Sequence, residues 1–288
     1  MKQSLLEKVG IFLLKEGYTI KSLTRTCFDI VARKENHILL IKVLENANSV
    51  SKLYAEEMEK ISGYIKASPL IIAEEAGEKL HDNIIYSRFG IFTLNFNTLR
   101  SCINHQYPIL KRDHAGLAAS LIGQKLKEAR EQEGFSLADI SKKIGVTKRM
   151  IQRYESGLSE ITLKKALKIY DLFGHDVFNK INIFDIERNI IKDYKTDISK
   201  KYNELGFEAL EMKKVPFNII AKKEKEIILT EVGDQVNPNS QSFSKLIDAD
   251  NLVIFKKKKP KKIPAITKKE FLDFEKAEKL IKFVKEFS

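Results

Sequence analysis

Apolar residues in this chain follow two periodicities, and the switches between them mark out its elements. Leu5, Val9, Phe12 and Leu13 recur at helical spacing through SLLEKVGIFLLKEGY, and Gly17 closes the run, which predicts a first helix. TCFDIVARK and HILLIKVLE are rich in β-branched and apolar residues and read as two strands, with KENH as the hairpin turn between them. A helical pattern from about Ser49 to Ala67 follows. Next come a strand at PLIIAEE, a helical piece around Gly77 to Ser87, and a strand at GIFTLNFNTL. NHQYPILKRDHAGLAASL, with Pro108, a charge cluster and small residues, reads as a connection entering a helix near Leu117, with a boundary near residue 115. From Leu121 to Gly174 the period is helical again, in four or five short segments.

Beyond Gly174, HDVFNKINIFDIERN carries aromatic and aliphatic residues too regularly for a loose tether and is expected to pack on the preceding helices or to form a partner surface. The chain then repeats itself. LKEGYTIKSLTRTCFDIVARKENHILLIKV aligns without a gap on NELGFEALEMKKVPFNIIAKKEKEIILTEV, pairing Gly17 with Gly206, Phe28 with Phe217 and Val43 with Val232, at 217 − 28 = 189. NLVIF predicts another strand, and ITKKEFLDFEKAEKLIKFVKEF an amphipathic closing helix. Just before it, Lys256 to Lys262 is the densest positive run, open to two readings: phosphate contact or a solvated loop.

Composition narrows the class. The 288 residues are 43% hydrophobic and 9% aromatic, enough for two or three cored domains and unlike a disordered chain. A formal charge of +12 points to a polyanionic partner. The N-terminal stretch has charges inside every apolar run, so neither a signal peptide nor a membrane span is expected, and the protein is expected in the cytoplasm. Cys27 and Cys102 lack CxxC or paired-His spacing, and His37, His81, His105, His114 and His175 are scattered; these patterns suggest no disulfide framework, metal site or cofactor.

The helical centre carries the most specific chemistry. In FSLADISKKIGVTKRMIQRYESG, Ser136 is placed to cap a helix, Ile140 and Ile144 share one face, and Gly145 suits a tight turn in left-handed backbone. Val146 tucks under the turn, Thr147 caps the next helix, and Ile151 and Tyr154 anchor it. Lys148, Arg149, Gln152 and Arg153 then face outward, and these side-chain types pair with base edges or phosphates from a helix that fits the major groove. This segment closely resembles the DNA-binding domain of phage repressors and Cro-like regulators, over about a fifth of the chain. The resemblance implies Gln124, Lys142 and Lys143 at phosphates. Leu137 replaces a Gln that many such domains use for a phosphate contact.

The order of elements before the centre resembles restriction-endonuclease-like folds, whose chemistry uses an Asp and an acidic-x-Lys to hold magnesium. Asp29 and Lys42 fit that pattern, while Leu40 stands in place of the second carboxylate. In the repeat, Asn218 replaces Asp29 and Glu231 replaces Lys42. The expected fold is therefore multidomain α/β plus all-α, with a central five-helix repressor-like domain (116–180) between two nuclease-like α/β domains (1–115 and 181–288). As a whole the chain resembles archaeal helix-turn-helix transcriptional regulators. That resemblance implies a non-enzymatic, cytoplasmic regulator, acting on double-stranded DNA as a homodimer, with other transcription proteins as further partners. A metal-dependent nuclease using Asp29 and Lys42, and an antitoxin-like protein-binding module, are the competing readings.

Overall fold

A computed structural model describes residues 2–113, 116–185 and 190–286; His114 and the boundary expected at residue 115 lie outside the described residues. The N-terminal part runs α1 (Lys2–Lys15), β1 (Thr19–Ser22), β2 (Ile30–Lys34), β3 (His37–Asn46), α2 (Lys52–Ile65) and β4 (Ala67–Glu75). Then come β5 (Ile84–Arg88), β6 (Ile91–Leu94), α3 (Phe96–Ile103), β7 (Leu110–Asp113) and β8 (Gly116–Ala119). The centre holds α4 (Gly123–Gln132), α5 (Leu137–Ile144), α6 (Lys148–Glu155), the short β9 (Ile161–Thr162) and α7 (Leu163–Phe173). The chain continues with α8 (Asp197–Glu204), β10 (Glu208–Glu211), β11 (Ile219–Lys223), β12 (Glu226–Val232) and α9 (Pro238–Ile247). It closes with β13 (Asp250–Phe255), β14 (Ala265–Thr267), α10 (Lys268–Leu272) and α11 (Ala277–Lys285). Contacts group Met1–Ile71 with Phe184–Ser288 in one unit and Ile72–Ile183 in another, and the chain passes between them within β4.

In the first unit, strand order is β1-β2-β3-β4 in the N-terminal module and β10-β11-β12-β13-β14 in the C-terminal one. The sequence repeat is a structural repeat. Thr19 pairs with Arg33 as Glu208 pairs with Lys222, and Ile30 with Ile41 as Ile219 with Thr230. Gly17 and Gly206 both take φ +82° at the turn after the first helix, and Glu35 and Glu224 both take left-handed backbone in the hairpin turn. Even the long side chains match: Lys34 Nζ bonds the Glu16 carbonyl at 2.8 Å and Lys223 Nζ the Leu205 carbonyl at 3.1 Å.

The two modules face each other through a near-twofold contact. Arg33 Nη1 donates to the Leu246 carbonyl at the end of α9 (2.9 Å), and its counterpart Lys222 donates from Nζ to the Tyr64 carbonyl at the end of α2 (2.8 Å). Each cation thus meets a carbonyl at the negative end of a helix. Between the modules the Phe243 ring lies 5.7 Å from Phe28 and 5.8 Å from Phe217, its equivalent. Symmetry fails at Cys27, whose N–H donates to the Lys214 carbonyl (2.7 Å), whereas the matching donor position is Pro216, which has no N–H.

In the second unit the strand order is β6-β5-β7-β8-β9, with the helical bundle following β8. Four expectations are corrected here and in the C-terminal module. The segment 77–87 is not helical: Ile84, Ile85 and Tyr86 are buried in β5. GIFTLNFNTL is a strand only as far as Leu94, because the Asn95 side chain accepts from Thr98 N–H (2.9 Å) and starts α3. Leu117 lies in β8, paired with Arg112 of β7, so the bundle begins at Gly123 with four helices in place of five. The closing segment is a strand and two helices, since Thr267 caps α10 and Asp273 ends it.

Candidate nucleic-acid interface

The bundle core is built by Leu126, Ile140, Ile144, Ile151, Tyr154, Ala166 and Ile169, joined by Val177 and Phe178 from the segment expected to pack there. Three caps set its central turn. Ser136 and Asp139 form a reciprocal capping box at the start of α5, and the hydrogen bonds from Ser136 hold the Asp139 carboxyl below the usual carboxylate range. Gly145 ends α5 in left-handed backbone (φ 78°, ψ 52°), with its N–H donating to the Ser141 carbonyl. Thr147 caps α6, accepting from Met150 N–H at 3.2 Å.

At about 100° per residue, burying Ile151 and Tyr154 turns Lys148, Arg149, Gln152 and Arg153 into an outward arc of roughly 140°. All four are exposed. The side chains of Lys148, Arg149 and Gln152 make no hydrogen bond or ion pair among the described residues. Arg153 differs: its Nε donates to Ser159 Oγ at 2.8 Å, tying the guanidinium to the loop beyond α6. Lys142 and Lys143 are exposed at the end of α5, with Lys143 Nζ 4.9 Å over the Phe135 ring. Gln124, at the start of α4, donates to Glu128 (2.7 Å), and Leu137 packs on the core.

Several residues that position this surface were not singled out by sequence. Arg130 clamps the end of α6: Nε and Nη2 reach the two Glu155 carboxylate oxygens at 2.6 and 3.2 Å, while Nη1 bonds the Phe135 carbonyl. Glu155 is thus committed to that pair. From α7, Lys165 Nζ donates to the Ile144 and Gly145 carbonyls (3.1 and 2.7 Å), fastening the turn. Gly123 admits a close approach of α4 to the end of α6: a Cβ there would collide with the Glu155 carbonyl oxygen. Alanine at 123 would force α4 away from α6.

Residues 126–174 match the helix-turn-helix family. The central domain is a helix-turn-helix domain. Relatives run the length of the chain that carries it, under the name "Putative HTH-type transcriptional regulatory protein". One from Methanocaldococcus jannaschii is 29% identical, over 92% of this chain and 90% of its own. One from Archaeoglobus fulgidus is 29% identical over 100% and 99%, and one from Pyrococcus horikoshii 27% over 90% and 89%. No solved structure matches.

Ahead of the helix-turn-helix domain, residues 2–108 match the PD-(D/E)XK superfamily domain, a class whose nucleases use a divalent cation. The residues present do not fit that cation. Asp29 Oδ1 faces the Lys42 and Lys2 ammonium groups at 3.2 and 3.4 Å, and Oδ2 accepts from Val43 N–H at 2.8 Å. The second carboxylate position is Leu40, fully buried. Among the described residues no group of three or more His, Cys, Asp or Glu side chains could hold a metal ion.

Proposed function

We propose that this protein is a sequence-specific regulator of transcription that binds duplex DNA by laying α6 in the major groove. The observation that carries the reading is the arc of Lys148, Arg149 and Gln152, exposed and unengaged on a helix whose other face is locked into a helix-turn-helix core. Arg or Lys can fork onto guanine O6 and N7, and Gln onto adenine N6 and N7. Lys142, Lys143 and Gln124 would hold phosphates. Arg153, with Nε on Ser159, would join them through its terminal guanidinium N–H groups. One recognition helix reads a half-site, so the working form is a homodimer that places two such helices about 34 Å apart.

Arg149→Ala tests the assignment. Loss of about 1–3 kcal/mol in binding, with relaxed preference at one base pair, assigns Arg149 to a base edge; uniform weakening on all sequences assigns it to phosphate.

The PD-(D/E)XK match raises a second reading, a nuclease directed by the helix-turn-helix domain. The lysine-bound Asp29 and the buried Leu40 weigh against it. Magnesium- or manganese-dependent nicking of plasmid DNA that disappears in Asp29→Ala would establish this second reading.

A further inference from the structure

We propose that the lysine loop between β13 and β14 is a second, sequence-independent DNA contact, made to the phosphate backbone by a part of the chain that reads no bases. The inference rests on the DNA-binding reading above and extends it to the α/β unit. Lys256, Lys257, Lys258, Lys259, Lys261 and Lys262 supply six positive charges, half of the formal net charge of +12. All six are exposed, and none makes an ion pair among the described residues. So dense a set of like charges repels itself, and only the carboxylates of Asp234, beside Lys257, and Glu270, beside Lys259, offset that repulsion among the described residues.

The loop is nevertheless held in one shape. Asp234 Oδ1 accepts from the backbone N–H groups of Lys256, Lys257 and Lys258 at 2.7, 2.8 and 3.3 Å. Three successive amides converging on one anion form a nest, and the chain's own carboxylate fills it. At the far end, Ile263 and Ala265 pack with Val253 in a small core. With the amides of Lys256, Lys257 and Lys258 committed, the loop presents six ammonium groups, compact point charges suited to phosphates and unsuited to forked base recognition. Lysine is not demanded by the fold: β4, the N-terminal counterpart of β13, ends at Glu75 and is followed by Glu78.

The test uses the full chain with all six lysines changed to alanine, and a second variant with all six changed to arginine. Binding to a selected duplex and to an unrelated duplex is followed as salt is raised. The alanine variant should lose affinity on both duplexes and its log–log salt slope should shrink by about 0.9 for each phosphate contact removed, while the selected motif stays the same. The arginine variant should keep the wild-type slope.

An alanine variant with unchanged affinity and slope on both duplexes overturns the proposal. So does loss of binding to phosphatidylserine vesicles with the DNA slope intact, which would assign the loop to a membrane surface. Arg149→Ala in the same assay separates the two claims. If it relaxes preference at one base pair while the lysine variant changes nothing, the regulator reading stands and the loop proposal falls. If the lysine variant flattens the slope while Arg149→Ala leaves preference untouched, the loop proposal stands and base reading by Arg149 falls.

Discussion

The two α/β modules share a backbone and a bonding pattern while differing in the residues from which chemistry would be read. Asp29 Oδ2 accepts from Val43 N–H at 2.8 Å, and Asn218 Oδ1 accepts from Val232 N–H at 2.8 Å. Backbone bonds around the pair repeat as well: Asp29 N–H to the Ile41 carbonyl, Asn218 N–H to the Thr230 carbonyl. An amide therefore does the structural work of the carboxylate. Both modules thus place a side-chain acceptor where the chain enters the second strand. What the N-terminal module adds is the Lys42 ammonium, 6% exposed, while the C-terminal module has Glu231 at that place, its acid bonded by Asn237 N–H at 2.7 Å. A nuclease-like pair of residues can thus persist as the wiring of a strand junction.

The largest expected effect comes from removing the acceptor in each module. Asp29→Ala leaves Val43 N–H unbonded and the buried Lys42 without its main counter-charge, and should cost about 3–5 kcal/mol in urea unfolding. Asn218→Ala strands only Val232 N–H and should cost about 1–3 kcal/mol. Equal losses would mean that the ion pair adds nothing to the shared bond.

A cycle of Asp29→Asn, Lys42→Met and the double variant isolates that pair. Asparagine keeps the bond to Val43, as in the C-terminal module, so the singles should couple by about 0.5–3 kcal/mol, with the double costing less than their sum. Additive losses would contradict the assignment.

Glu231 gives a smaller, pH-dependent contrast. Burial raises its pKa above the ordinary 4.5, opposed by the Asn237 bond, so the folded state binds this proton more readily than the unfolded state. Its contribution to stability should improve as pH falls from neutrality through the folded pKa, and become level below 4.5. Glu231→Gln keeps an acceptor for Asn237 and should remove that pH dependence, staying within about 1 kcal/mol of the parent at neutral pH. A variant that retains the dependence would locate it elsewhere.

The smallest effect is at Cys27, where the other module has Pro216. Burial, with Glu57 adding to it, pushes the Cys27 thiol up to about 12. Alkylation at pH 8 should be negligible until the protein is unfolded. Rapid modification of the folded protein would show that the junction between the modules opens.

What could be read from sequence follows the reach of each interaction. The repeat, the hairpins and the helix-turn-helix caps were legible because Gly17, Ser136, Gly145 and Thr147 act on neighbours a few residues away. The helix expected near Leu117 was lost to tertiary pairing: GLAA has helical propensity, yet β8 finds β7 alongside it. Asn95 is a local cap signal set inside an apolar run that itself reads as strand. The surface residues of α6 followed from its period, whereas their supports did not. Arg130 and Glu155 lie 25 residues apart, and Gly123 meets the end of α6 across the bundle, so neither contact leaves a local pattern. The grouping of Met1–Ile71 with Phe184–Ser288 is likewise invisible along the chain, since Arg33 finds Leu246 only in space.

The most direct test of the central claim is selection of duplexes bound by the intact protein from a randomised pool, repeated at raised salt so that phosphate affinity is separated from base reading. The account predicts one motif made of two related half-sites, about one helical turn between centres, sharpening as salt rises. Recovery of no motif, with binding that fades uniformly as salt rises, would contradict it and leave α6 without a base-reading role.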